Sequence, residues 1–82
     1  MTKANIQWEN KNVLIGYRAF LFCFGEKCMS GKIKEIQPLA KDDTHYIEVE
    51  FIEPSFFSNE ALSGSAFTIR EASNVLAKGV VI

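Results

Sequence analysis

Few residues in this sequence are equipped for covalent or metal chemistry. His45 is the single histidine, and Cys23 and Cys28 are the two cysteines. A nucleophile needs a base within hydrogen-bond reach, and neither cysteine, nor any serine, stands at a recognised spacing from His45. A structural zinc site takes four ligands, and only one histidine is present to join the two thiols. The P-loop pattern and the glycine-rich dinucleotide fingerprint are both absent. No catalytic residue, no metal and no cofactor is therefore expected, and His45 reads as a strand-end or surface side chain. The sequence argues against an enzyme.

Cys23 and Cys28 flank Phe24-Gly25-Glu26-Lys27 and could face each other across a hairpin. Nothing in the composition indicates an oxidising compartment, so free thiols are expected. Met1 to Asn12 is polar and lacks the apolar stretch of a secretory signal, which points to the cytoplasm. The longest apolar run, Val13 to Phe24, carries Arg18 at its centre. It falls well short of the roughly 20 apolar residues of a membrane-spanning helix and reads as a core element. No membrane contact is expected.

Binding rather than catalysis is the chemistry left. With a formal net charge of −1, no overall positive field draws the chain to a phosphate backbone. Any RNA contact would rest on local cations such as Lys32, Lys34 and Arg70. Asp42, Asp43, Glu48, Glu50 and Glu53 form the densest charge cluster, either a solvated face or a match for a basic partner. Trp8 is an interface anchor if exposed, or a cover for one end of the core if it folds back. Phe56 and Phe57, in the connection after Pro54, pose the same choice and are candidate contact residues.

The elements that must position these groups are strands. With 82 residues, 48% of them apolar, the chain suits one domain with one modest core. Val13 to Phe24 reads as one strand or two, with Gly16 marking a bend. Met29, Gly31 and Ile33 alternate with Ser30, Lys32 and Lys34 beyond a turn at Gly25 to Lys27, which predicts a hairpin. Ile47, Val49 and Phe51 alternate with Glu48 and Glu50 in the clearest strand of the chain. Pro54 to Gly64 is a connection with room for a short helical turn. Phe67 and Ile69 alternate with Thr68 and Arg70, a tight turn falls at Ala72-Ser73, and Val75 to Ile82 is a final strand interrupted by Gly79. Five or six short antiparallel strands predict an all-β fold, a small closed barrel in which closure removes exposed sheet edges. Residues 1–12 are expected to be a polar N-terminal segment and 13–82 the barrel.

Three segments carry a resemblance. Phe67-Thr68-Ile69-Arg70-Glu71 followed by Ala72-Ser73 and a strand ending Gly79-Val80-Val81 is similar to the closing hairpin of the third, C-terminal domain of elongation factor Tu. Gly16-Tyr17-Arg18-Ala19-Phe20-Leu21-Phe22 resembles that family's opening strand, and Ile47 to Pro54 the strand between. The likeness covers residues 13–82 in order. It implies a six-stranded antiparallel barrel without the GTPase domain, hence no GTP binding. In the family this barrel contacts the T-stem of aminoacyl-tRNA and supports the exchange factor. Carried over by position, the tRNA contacts fall on Phe20, Ser30, Glu71 and Ala72. The chain has Phe20 in place of a glutamine, Ser30 in place of a threonine, Ala72 in place of a glycine, and Ala19 in place of a proline.

The sequence thus predicts a non-catalytic binding module whose partner is another protein, one concrete form being an immunity or accessory protein. A tRNA- or RNA-binding module related to translation is the alternative. The candidate contact residues are Ser30, Phe56, Phe57, Arg70 and Glu71.

Overall fold

Alternation along six segments sets the architecture. In a computed structural model that describes residues 1–9 and 19–82, these segments are strands β1 (Thr2–Trp8), β2 (Ala19–Phe24), β3 (Lys27–Pro38), β4 (Thr44–Phe51), β5 (Ala66–Glu71) and β6 (Asn74–Val81), with a 3₁₀ turn at Pro54–Phe57 before β5. They close in the order β1-β4-β3-β2-β5-β6, every pair antiparallel. The fold is the small all-β closed barrel that the strand pattern predicts. Val13 to Arg18, the first half of the long apolar run, lies outside the described residues, as does Gly16.

One side of each strand fills the barrel. Ile6, Phe22, Ile33, Ile47, Val49, Ile69 and Ala77 are buried, and the aromatic rings interlock around them. Phe22 meets Phe51 edge-on with centroids 5.5 Å apart, and Phe24 meets Phe67 at 5.4 Å. Such offset and edge contacts match the ring quadrupoles and add to the area burial.

Two irregularities shape the wall. Between β3 and β4 the register slips at Ile33/Glu35, and between β5 and β6 at Ile69/Arg70. The second is a bulge that lets adjacent Leu76 and Ala77 both face inward. Two-residue turns join β2 to β3 and β5 to β6, with Phe24 opposite Lys27 and Glu71 opposite Asn74. Each has positive φ at its first central residue only, Gly25 at 65° and Ala72 at 54°, the signature of a type II′ hairpin.

Three expectations are corrected. The N-terminal segment expected to lie apart from the barrel is largely strand β1, seated between β4 and β6. Its polar residues Lys3, Asn5 and Gln7 point out, while Ala4, Ile6 and Trp8 point in. The barrel therefore begins at Thr2 rather than at residue 13. Gly79 does not interrupt the last strand. It is a paired member of β6 at the point where Phe67 crosses the barrel, and a Cβ there would clash with Phe67 Cζ. The thiols are not free: Cys23 and Cys28 are directly opposite each other in the β2–β3 register and form a disulfide. The compartment argument was weaker than the geometry, because the tight Gly25-Glu26 turn fixes the two side chains on one face.

Candidate functional site

The outer face of β1, β6 and β5 carries the most developed surface feature among the described residues. Each of these strands alternates buried residues with outward ones, Lys3, Asn5 and Gln7 on β1, Lys78 and Val80 on β6, and Ala66, Thr68 and Arg70 on β5, so the outward row is set by sequence alternation. Thr44 on β4 pairs with Gln7 on β1, Gln7 with Lys78 on β6, Lys78 with Thr68 on β5, and Thr68 with Cys23 on β2. One continuous row of hydrogen-bonding side chains thus crosses four strands to the disulfide. The next row runs Asn5, Val80, Ala66 and is partly apolar.

These rows floor a half-open groove of about 810 Å³, inside the roughly 300–1,000 Å³ range of ligand sites. The β3–β4 loop walls one end with Leu39 and Lys41, and Arg70 stands on the β5 side. Among the described residues, three of the lining side chains are cations, Lys41, Arg70 and Lys78, and none is a carboxylate. Arg70 Nε donates to Thr68 Oγ1 at 3.0 Å, which holds the guanidinium over the outer face. Lys78 Nζ lies 3.5 Å from Glu9 at the groove edge, and both side chains are well exposed. Such a pair is weak and readily exchanged. Val80 and Leu39 are 48% and 41% exposed, large for apolar side chains.

A separate group of acidic residues lies on β3 and β4. Glu35 stands opposite Glu48 across β3 and β4, a like-charged pair. The Tyr46 hydroxyl donates to Glu48 Oε2 at 2.9 Å, and Lys3 of β1 pairs with Glu48 on its other side. Partial burial, the hydrogen bond to Glu48, and the charges of Glu48 and Glu35 raise the Tyr46 hydroxyl above its ordinary pKa.

The structure distributes the candidates of the sequence unequally. Arg70 and Ser30 share one row, separated by Leu21 of β2, which sets them roughly 10 Å apart, two strand spacings. Glu71 is exposed at the β5–β6 turn, opposite Asn74. Phe57 is a correction: it is 1% exposed and plugs the lower end of the barrel, with its ring 4.7 Å from Phe24 and 4.9 Å from Phe51. It has no surface to offer a partner. Phe56 is half-buried beside it, and Lys27 Nζ sits 4.6 Å from its ring centroid while reaching Glu60 at 3.2 Å. Trp8 takes the covering role: it is buried against Phe20 at 5.9 Å.

Sequence reasoning missed Asn5, Gln7, Lys41 and Lys78. The signal for the first two was the alternation of Lys3, Asn5 and Gln7 with Ala4, Ile6 and Trp8, a strand pattern in a segment whose polarity suggested a tail. Among the described residues, no group of three or more His, Cys, Asp or Glu converges on a metal-sized site, and no helix is long and apolar enough to cross a membrane. Comparison with protein-family models, with characterised proteins and with solved structures finds no match to this chain.

Proposed function

We propose that this barrel is a non-catalytic binding module that engages another protein through the outer face of β1, β6 and β5. The observation that carries the reading is the groove itself: exposed apolar residues flanked by side-chain amides, hydroxyls and three cations. Exposed apolar side chains beside hydrogen-bonding and charged ones are what protein interfaces present. The likeness of residues 13–82 to the third barrel of elongation factor Tu supplies a concrete setting, in which a free barrel acts as an immunity or accessory protein and competes for partners of the factor.

RNA binding is the second reading, favoured by the same three cations and by the shared row of Arg70 and Ser30. Single-stranded RNA is gripped by exposed aromatic rings as well as by charge. Among the described residues the groove presents none: Phe67 lines it from a buried position.

A photo-cross-linking residue at Val80 tests the proposal. In cell lysate treated with ribonuclease at raised salt, a specific protein adduct is expected at Val80 and not at Glu50, across the barrel. Adducts that vanish with ribonuclease would support the RNA reading instead.

A further inference from the structure

Resting on the protein-binding reading, we infer that the groove takes an acidic, apolar-containing peptide segment of its partner, laid across β1, β6 and β5. Three features converge on that chemistry.

The first is charge. Among the described residues, the lining carries Lys41, Arg70 and Lys78 with no carboxylate, on a chain whose net charge is −1. Glu35, Glu48 and Glu50 of β3 and β4 stand outside the lining. Acidic groups do adjoin the cations in sequence or space, Glu9 beside Lys78, Asp42 and Asp43 after Lys41, and Glu71 after Arg70. The Glu9 contact is an exposed pair at 3.5 Å, so a partner carboxylate can replace it at little cost. Opposed patches of this kind steer encounter and select partners by sign.

The second is the floor. Val80 and Ala66 lie side by side in one row, and Leu39 adds a third apolar surface. A wholly charged ligand would leave these uncovered, whereas apolar side chains interspersed with the acidic ones cover them.

The third is the span. From β1 to β2 the row covers three strand spacings, about 14 Å, the length of roughly four extended residues. Gln7 and Thr68 offer donors and acceptors along it, and Asn5 in the next row adds another. A peptide crossing there touches all three cations and the apolar row together.

The test is affinity selection of a displayed library of random 12-residue peptides on the whole 82-residue protein, followed by fluorescence anisotropy of the selected peptides. Enrichment of Asp and Glu interspersed with Leu, Ile, Val or Phe is expected. Binding of the selected peptides should weaken at least tenfold in Lys78→Glu combined with Arg70→Glu, and at least threefold between low and raised salt. The remote Lys32→Glu should bind within twofold of the unaltered protein, and circular dichroism checks that each variant folds.

Selection of basic or charge-neutral peptides, or of none, overturns the inference, and so does binding that ignores the double variant. The two levels of the proposal separate in the Val80 adduct. A protein adduct whose contact segment is not acidic sinks the peptide chemistry and leaves the protein-binding reading standing. Adducts to RNA alone sink both.

Discussion

At the scale of single residues, the backbone makes one substitution a test of the turn chemistry. Gly25 and Ala72 occupy the same position in their hairpins, with φ of 65° and 54°. Glycine is at ease there, and alanine meets its own Cβ, at a cost of about 1 kcal/mol. Ala72→Gly should raise the melting temperature by about 4–8 °C, the shift that 1 kcal/mol makes in a domain of this size. An unchanged or lower value in calorimetry would contradict the turn assignment. Gly79→Ala should act in the opposite sense, because its Cβ clashes with Phe67 Cζ and meets Ile6 Cγ2 at 2.8 Å inside a filled barrel. Overpacking of that kind costs about 1–3 kcal/mol in chemical denaturation. Tyr46 supplies the pH dependence. Its hydroxyl is raised by partial burial and by Glu48 and Glu35, so its contribution to stability is complete below the ordinary tyrosine value and is lost as pH climbs through the raised one. Phenolate absorbance should show a late-titrating component that disappears in Tyr46→Phe.

At the scale of elements, the β2–β3 hairpin and the 3₁₀ turn differ in what they hold together. The disulfide joins cross-strand neighbours that the ladder already aligns. Closing so short a loop stabilises by about 2 kcal/mol at most in the chain-entropy account. Reduction should therefore lower the denaturation midpoint and leave the far-ultraviolet spectrum of the barrel intact. Collapse of that spectrum on reduction would mean that the hairpin depends on the bridge. The 3₁₀ turn at Pro54–Phe57 matters through one ring. Phe57→Ala removes the plug packed on Phe24 and Phe51 and should cost about 3–5 kcal/mol. Phe56→Ala, next along the chain but half-exposed beneath Lys27, should cost no more than about 1 kcal/mol. Sequence alone placed this pair in a connection and left open which ring was inside, because a short irregular turn has no periodicity to decide it. Strand β4, by contrast, was plain from the alternation of Ile47, Val49 and Phe51 with glutamates. Strand β1 was hidden because only Ala4, Ile6 and Trp8 are apolar there, and a seven-residue strand with a lysine, an asparagine and a glutamine outward resembles a polar tail.

At the scale of the whole molecule, closure is what turns separate strand patterns into a surface. The sequence displays which residues alternate but not which strands become neighbours, and the order β1-β4-β3-β2-β5-β6 brings the N-terminal strand beside the C-terminal one. Asn5, Gln7, Lys78 and Val80 thus meet from opposite ends of the chain. Arg70 and Ser30 were visible as candidates through the likeness to a known barrel. Lys41, Lys78 and their neutral companions acquire meaning only from the register. That juxtaposition is the central claim, and nuclear magnetic resonance of the isotope-labelled protein tests it most directly. On titration with a peptide of alternating glutamate and leucine, amide shifts should concentrate at Asn5, Gln7, Thr68, Lys78 and Val80, and remain small at Glu35, Glu48 and Glu50. Shifts centred on β3 and β4, or stronger shifts with transfer RNA than with the peptide, would contradict the account.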